Sequence, residues 1–183
     1  MYNHIRGRLI EKNPAYVIVE ANGIGYQVNI SLNTYTRLPN NEAVLLFTHL
    51  VVREDAWQLF GFADEHERLT FKLLIGVSGV GPNTARVILS SLTASEVESA
   101  ILMDNVGLLT AVKGIGAKTA QRIVLDLKDK MGKGVTSTFG TGSISNTARS
   151  EAVSALEILG FSRIQIEKVV TKLLQAKIGR AHV

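Results

Sequence analysis

Leu73-Leu74-Ile75-Gly76-Val77-Ser78-Gly79-Val80-Gly81-Pro82-Asn83-Thr84-Ala85 returns 35 residues later as Leu108-Leu109-Thr110-Ala111-Val112-Lys113-Gly114-Ile115-Gly116-Ala117-Lys118-Thr119-Ala120. Aligned without a gap, residues 71–88 and 106–123 agree at eight of 18 positions, including Leu-Leu, both glycines and Thr-Ala. Repetition at a fixed offset marks a duplicated structural unit. Each copy reads as helix, tight glycine hairpin, helix. A glycine permits the positive φ that stops the first helix, and the second begins at once. Its first-turn N–H groups then lack intrahelical acceptors and point outward. With the positive end of the helix dipole, such donors form an anion site that reads backbone charge and shape but no base identity.

Two other phosphate motifs fail here. A P-loop needs glycine directly before Lys118 and another five positions earlier, where this chain has Ala117 and Val112. A dinucleotide fingerprint starting at Gly79 meets Thr84 at its third glycine, and a helical rather than a strand pattern precedes it. No nucleotide cofactor is expected.

Outward from the repeats, residues 1–63 alternate apolar and polar side chains between turn signals. Strands are predicted at Ile5–Glu11, Ala15–Glu20, Gly25–Ile30, Val44–Val52 and Ala56–Phe62. Five short strands in this span predict a small barrel of the OB type. Asp64 with Glu67, and Thr93 with Glu96, read as capping boxes in the helical region 64–131. Ten of the 15 residues from Gly132 to Asn146 are Gly, Ser or Thr, the composition of a flexible linker. Beyond it, Thr147–Leu159 and a segment starting at Ser162 read as two amphipathic helices, with Gly160 stopping the first. The fold class is therefore α+β multidomain: barrel 1–63, tandem helix-hairpin-helix 64–131, linker 132–146 and a small helical module 147–183. The seven residues Lys177–Val183 break the apolar pattern, and the last module is expected to be shortened.

Composition narrows the classes. No cysteine is present, which excludes disulfides, thiolate metal sites and cysteine nucleophiles. His4, His49, His66 and His182 lack metal-ligand spacing, so no metal is expected. No apolar run spans a membrane and the polar start does not read as a signal peptide, so a cytoplasmic location is expected. The net charge of +4 hides an internal asymmetry. Residues 64–104 carry three basic against six acidic side chains, whereas 105–130 carry five (Lys113, Lys118, Arg122, Lys128, Lys130) against two. The second hairpin is the stronger cationic partner for DNA, and the first must rely mainly on backbone donors.

With barrel, hairpins, linker and tail in order, the chain closely resembles the RuvA family, the Holliday-junction-binding subunits of the bacterial RuvAB branch-migration complex. The resemblance runs from Met1 to about Ala176. Its most specific stretches are Phe47-Thr48-His49-Leu50-Val51-Val52-Arg53-Glu54-Asp55, the paired Gly79-Val80-Gly81-Pro82 and Gly114-Ile115-Gly116, and Glu151-Ala152-Val153 through Leu156 to Leu159-Gly160-Phe161. It implies structure-specific, sequence-independent binding of four-way junctions in recombination, DNA repair and the SOS response. It also implies a homotetramer, one or two per junction, recruitment of the hexameric ATPase RuvB, the resolvase RuvC as a further partner, and a UBA-like final domain. Phosphate contacts are implied at Gly79, Val80, Gly81 and Asn83, and at Gly114, Ile115, Gly116, Lys118, Thr119 and Arg122. Glu54 and Asp55 become a central acidic pin, and Leu156, Leu159 and Phe161 the motor-docking surface. Where the family often has lysine this chain has Asn83 and Ala117, leaving each hairpin with fewer cations. The family's final domain has a third helix, which Lys177–Val183 does not resemble.

Rival functions are a helix-hairpin-helix glycosylase or nuclease subunit, and a DNA scaffold indifferent to junction geometry. A glycosylase needs an acid over a base-extruding pocket. Asp126 and Asp129 follow the second hairpin, but beside Lys128 and Lys130 they read as solvated helix partners. The chain is expected to be non-catalytic, with the ATPase in its partner.

Overall fold

The computed structural model describes residues 2–40 and 43–134, together with Val153, Leu156, Gly160, Phe161, Gln165, Ile166, Lys168 and Val169. Two compact units divide the chain at Gly132. In the first, strands β1 (His4–Lys12), β2 (Tyr16–Ala21), β3 (Ile24–Ile30), β4 (Ala43–Val52) and β5 (Trp57–Phe62) close a barrel in the order β1-β2-β3-β5-β4. All five match the expected strands to within two residues at either end. Alternation turns Leu9, Val17, Val19, Val28, Ile30, Val44 and Leu46 inward, and all are buried. Closure depends on a short parallel pairing, Asn29↔Phe60 and Ile30↔Gly61, between β3 and β5.

One element was not expected from the sequence, a six-residue helix α1 (Leu32–Arg37) inserted between β3 and β4. It has no apolar period, and its single buried residue is Thr34. Tertiary contact rather than propensity holds it in place. The helices that follow are α2 (Glu65–Ile75), α3 (Pro82–Ser91), α4 (Ala94–Leu102), α5 (Val106–Thr110) and α6 (Ala117–Gly134). Their core is apolar and fully enclosed at Phe71, Leu74, Ile88, Leu89, Ile101, Leu109, Ile123 and Leu127.

Barrel and helices share one seam. Phe71 of α2 lies 5.0 Å from the Phe60 ring, 4.9 Å from Phe62 and 5.8 Å from His49, joining the two apolar cores. Beside it Glu67 is buried with its carboxylate facing the barrel. It accepts hydrogen bonds from Ser31 Oγ and, at 2.7 Å, from Thr34 Oγ1. Ser31 Oγ in turn accepts from Thr34 N at 3.0 Å to cap α1, and Thr34 Oγ1 accepts from Ala63 N at 3.0 Å. The expected Asp64–Glu67 capping box is therefore half made: Asp64 Oδ1 accepts from Glu67 N at 2.7 Å, but the Glu67 side chain turns into the seam. The Thr93–Glu96 box closes in both directions. On the far side of α1, Asn33 Nδ2 donates to Leu89 O at 2.6 Å and Leu92 O at 3.0 Å, fixing α3 to the barrel.

In the second unit Gly160 has φ +91°, and Phe161 N donates to Leu156 O at 3.1 Å. That is a Schellman-type helix end, with the glycine stop where the sequence placed it. Ile166 is buried, while Phe161 and Val169 are exposed.

Burial raises the pKa of Glu67, against the lowering pull of the Ser31 and Thr34 hydrogen bonds. A carboxyl with a raised folded pKa carries a penalty at neutral pH that is relieved as pH falls through that value. Relative to Glu67→Gln, the wild-type chain should therefore gain stability between pH 7 and the ordinary carboxylate range. Glu67→Ala, which leaves two buried hydroxyls without an acceptor, should lose about 2–4 kcal/mol at pH 7. Denaturant unfolding of both variants across pH measures this, and a pH-independent difference from the Gln variant would contradict it.

Candidate nucleic-acid interface

Both hairpins are built by the same hydrogen bonds at the repeat offset. In the first, Val80 N donates to Val77 O at 3.0 Å and Ala85 N to Gly81 O at 2.9 Å. In the second, Ile115 N donates to Val112 O at 3.1 Å and Ala120 N to Gly116 O at 3.0 Å. Gly79 has φ +91° and Gly114 φ +88°, the third position of each turn, where a side chain would be strained. Apolar residues on either side of each turn peg the loop to the core: Val77 and Val80 are buried, as are Val112 and Ile115. What remains outside is backbone and, at the two tips, Ser78 and Lys113.

The helices that leave these loops differ from their neighbours in one respect. Ser31, Asp64, Thr93 and Asn105 each place a side-chain oxygen on the first turn of α1, α2, α4 and α5. At α3 the N-cap is Gly81, with no side-chain cap, and Pro82 takes the first helical position. α6 likewise follows Gly116. The N–H groups of Asn83 and Thr84, and of Lys118 and Thr119, are first-turn donors with no intrahelical acceptor. Gly81 has φ −82°, so its conformation does not demand glycine. A Cβ built at Gly81 or at Gly116 meets nothing within 4 Å. Internal packing does not explain these two glycines.

Of the residues singled out in the sequence, the loops bring Gly79, Gly81, Asn83, Gly114, Gly116, Lys118 and Arg122 to the surface or its edge, with Thr119 half-buried. Val80 and Ile115 have another part: with side chain buried and N–H bonded within the loop, each shapes its turn. Lys113, counted in the charge balance but not as a site residue, is exposed one position before Gly114 at the loop tip. Its repeat equivalent is Ser78, so alignment of the two copies is the signal that finds it.

Electrostatics follow the expected asymmetry. Arg68 Nη1 donates to Asn3 O at 2.8 Å and Arg86 Nη1 to Ala15 O at 2.8 Å, so two of the three basic residues in 64–104 are engaged in fixing α2 and α3 to the barrel. In the second repeat Lys128 pairs with Asp104, while Lys113, Lys118, Arg122 and Lys130 are exposed.

Glu54 and Asp55 are exposed on the turn joining β4 to β5, closed by Arg53 N donating to Ala56 O at 2.9 Å. In the second unit Leu156 is half-buried and Phe161 exposed; Leu159 lies outside the described residues, as does most of 132–146.

A closed five-stranded barrel followed by two glycine hairpins, each opening an uncapped helix, defines a double helix-hairpin-helix protein. The chain belongs to the RuvA family. It matches the family descriptions "RuvA N terminal domain" at residues 1–61, "SAM-like Helix-hairpin-helix tandem" at 71–129 and "RuvA, C-terminal domain" at 147–181. A relative from Christiangramia forsetii is 55% identical over 175 residues, 96% of this chain and 91% of the relative. One from Flavobacterium psychrophilum is 50% identical over 174 residues, covering 95% and 90%. A third, from Bacteroides thetaiotaomicron, is 45% identical over 184 residues, covering 96% and 91%. All three are named as Holliday junction branch migration complex subunit RuvA.

The open helix starts give a test by stability. Gly81→Ser supplies an N-cap hydroxyl in unobstructed space and at a compatible φ, and should stabilise the fold by about 0.5 kcal/mol. Gly79→Ser must adopt a positive φ and should cost about 1 kcal/mol or more. Thermal melting of the two variants distinguishes them, and equal shifts would contradict this account of the loops.

Proposed function

We propose that this chain binds four-way DNA junctions by shape and charge, without base sequence, and delivers them to a partner ATPase for branch migration. The observation that carries this is the pair of uncapped helix starts, open to solvent and held to one barrel. Each offers two backbone donors and the positive end of a helix dipole, the arrangement that suits one phosphate. Two such sites at a fixed separation suit a duplex arm rather than an isolated anion.

The names of the relatives supply the context in which such arms meet, a Holliday junction in a branch-migration complex. On this reading four copies assemble around the crossover, as one tetramer or two, with Glu54 and Asp55 towards its centre. Like charge there repels phosphates and favours an open crossover. The ATPase is RuvB, engaged through Leu156, Leu159 and Phe161 of the final domain, with the resolvase RuvC as a second protein partner. The chain itself is non-catalytic and acts in the cytoplasm; among the described residues no helix is long and apolar enough to cross a membrane.

Competition between an immobile four-way junction and a linear duplex of matching sequence tests the central claim. Junction affinity should exceed duplex affinity, fall steeply with salt, and be indifferent to permuted sequence. Equal affinity for the two DNAs would instead establish a general scaffold. Lys118→Ala with Arg122→Ala should weaken junction binding more than Asn83→Ala, and paired Gly81→Ser and Gly116→Ser should weaken it although each cap stabilises its helix. In the same assay, Glu54→Ala with Asp55→Ala should hold or raise junction affinity while lowering discrimination against duplex. A sharp loss of junction binding in that double variant would make the two carboxylates structural.

A further inference from the structure

Trp57 is the only tryptophan in the chain, and 74% of it is exposed. Phe60 and Phe62, on the opposite face of the same strand, are buried against Phe71 of α2, whereas Trp57 shares the face of Leu59, which packs on the barrel core, yet is itself left uncovered. Trp57 opens β5 directly after the acidic turn and pairs across the ladder with Val52, itself 58% exposed. Directly opposed residues of an antiparallel pair share a face, so indole and isopropyl groups form one apolar surface at the foot of the Arg53–Ala56 turn. Glu54 and Asp55 stand on that turn.

We infer that Trp57 is a stacking platform for nucleobases at the junction crossover, a contact that deepens the function proposed above and rests on it. The chemistry selects among the parts of DNA that can approach. Two carboxylates beside the ring repel phosphates, so the sugar-phosphate backbone is disfavoured there. A base face is flat, apolar and uncharged, and aromatic side chains stack on any base without reading its identity. In a continuous duplex every base face is covered by its neighbour. At an opened four-way crossover the terminal pairs of the arms lose that cover. An exposed indole beside an anionic turn therefore fits the feature by which a junction differs from a linear duplex, while the hairpins hold the arms that both share. Carboxylates disfavour backbone at the centre, and the indole favours an unstacked pair.

The single tryptophan is its own probe. With the full chain, Trp57 emission should be quenched on saturation with an immobile four-way junction and little changed by a linear duplex at equal occupancy, occupancy being read by electrophoretic mobility. Trp57→Ala should reduce the preference for junction over duplex about tenfold, and Trp57→Phe should retain most of it. As the ring is exposed, both variants should melt with the wild-type chain. Junction binding at full affinity with unchanged emission, or an unaltered preference in Trp57→Ala, would overturn the inference and leave the proposed function standing. Emission that shifts with protein concentration in the absence of DNA, together with a smaller assembly mass for Trp57→Ala, would overturn it in favour of a contact between copies. If the wild-type chain binds duplex as well as junction, the functional reading falls and this inference with it.

Discussion

The described fold depends on a carboxylate buried where two cores meet. Glu67 accepts hydrogen bonds from Ser31 and Thr34 on the barrel side while its helix is started by Asp64, so one turn of α2 is fixed at both its backbone and its side chain. Burying that charge is unfavourable, and the hydroxyl bonds together with the Phe71 contacts offset the cost. The consequence is positional. α2 leads directly into the first hairpin, and Asn33 of the neighbouring short helix holds the last turn of α3 on its far side. The first hairpin is thus anchored by both the helices that frame it.

Against that rigid background, the uncapped starts of α3 and α6 stand as local concessions in stability. The other helices of the first unit begin under a side-chain cap, and one of them, α4, under a complete capping box. A helix start with glycine in place of a capping side chain forgoes roughly 0.5 kcal/mol. The two sites are not equivalent. The first has Arg68 and Arg86 committed to the barrel and presents chiefly backbone N–H groups; the second also presents Lys118 and Arg122. Membership of the RuvA family is consistent with this division, since a protein that holds DNA while DNA moves through it gains from contacts that carry no sequence information.

The acidic turn and the indole at its foot extend the same logic to the crossover. In the proposed function the hairpins hold the duplex arms that junction and linear DNA share. On that proposal discrimination comes from the β4–β5 turn, which combines carboxylates that would repel backbone with an indole that would favour an uncovered base. Both sit on a two-stranded projection of the barrel, so their orientation is set by the same closed sheet that positions the hairpins.

Much of this architecture is legible in the order of the residues. The strands are readable because the barrel buries one face of each, which forces a period of two, and the hairpins because glycine at a positive φ and an apolar peg on either side recur at a fixed offset. The glycine stop at Gly160 is readable for the same local reason. Three things are decided by tertiary structure alone. α1 has no periodic signal, since it is held by hydrogen bonds to α2 and α3 and not by an apolar stripe. Glu67 carries the local signature of a capping box, but its side chain finds hydroxyls from a segment 33 to 36 residues away, and the distant partners win over the local one. Val80 and Ile115 sit in the phosphate motif yet face inward, because a loop that presents its backbone outward must be pinned by its side chains from within. Sequence records which groups are available and at what spacing. Only the folded chain decides which of them are spent on holding the structure and which are left free to meet DNA.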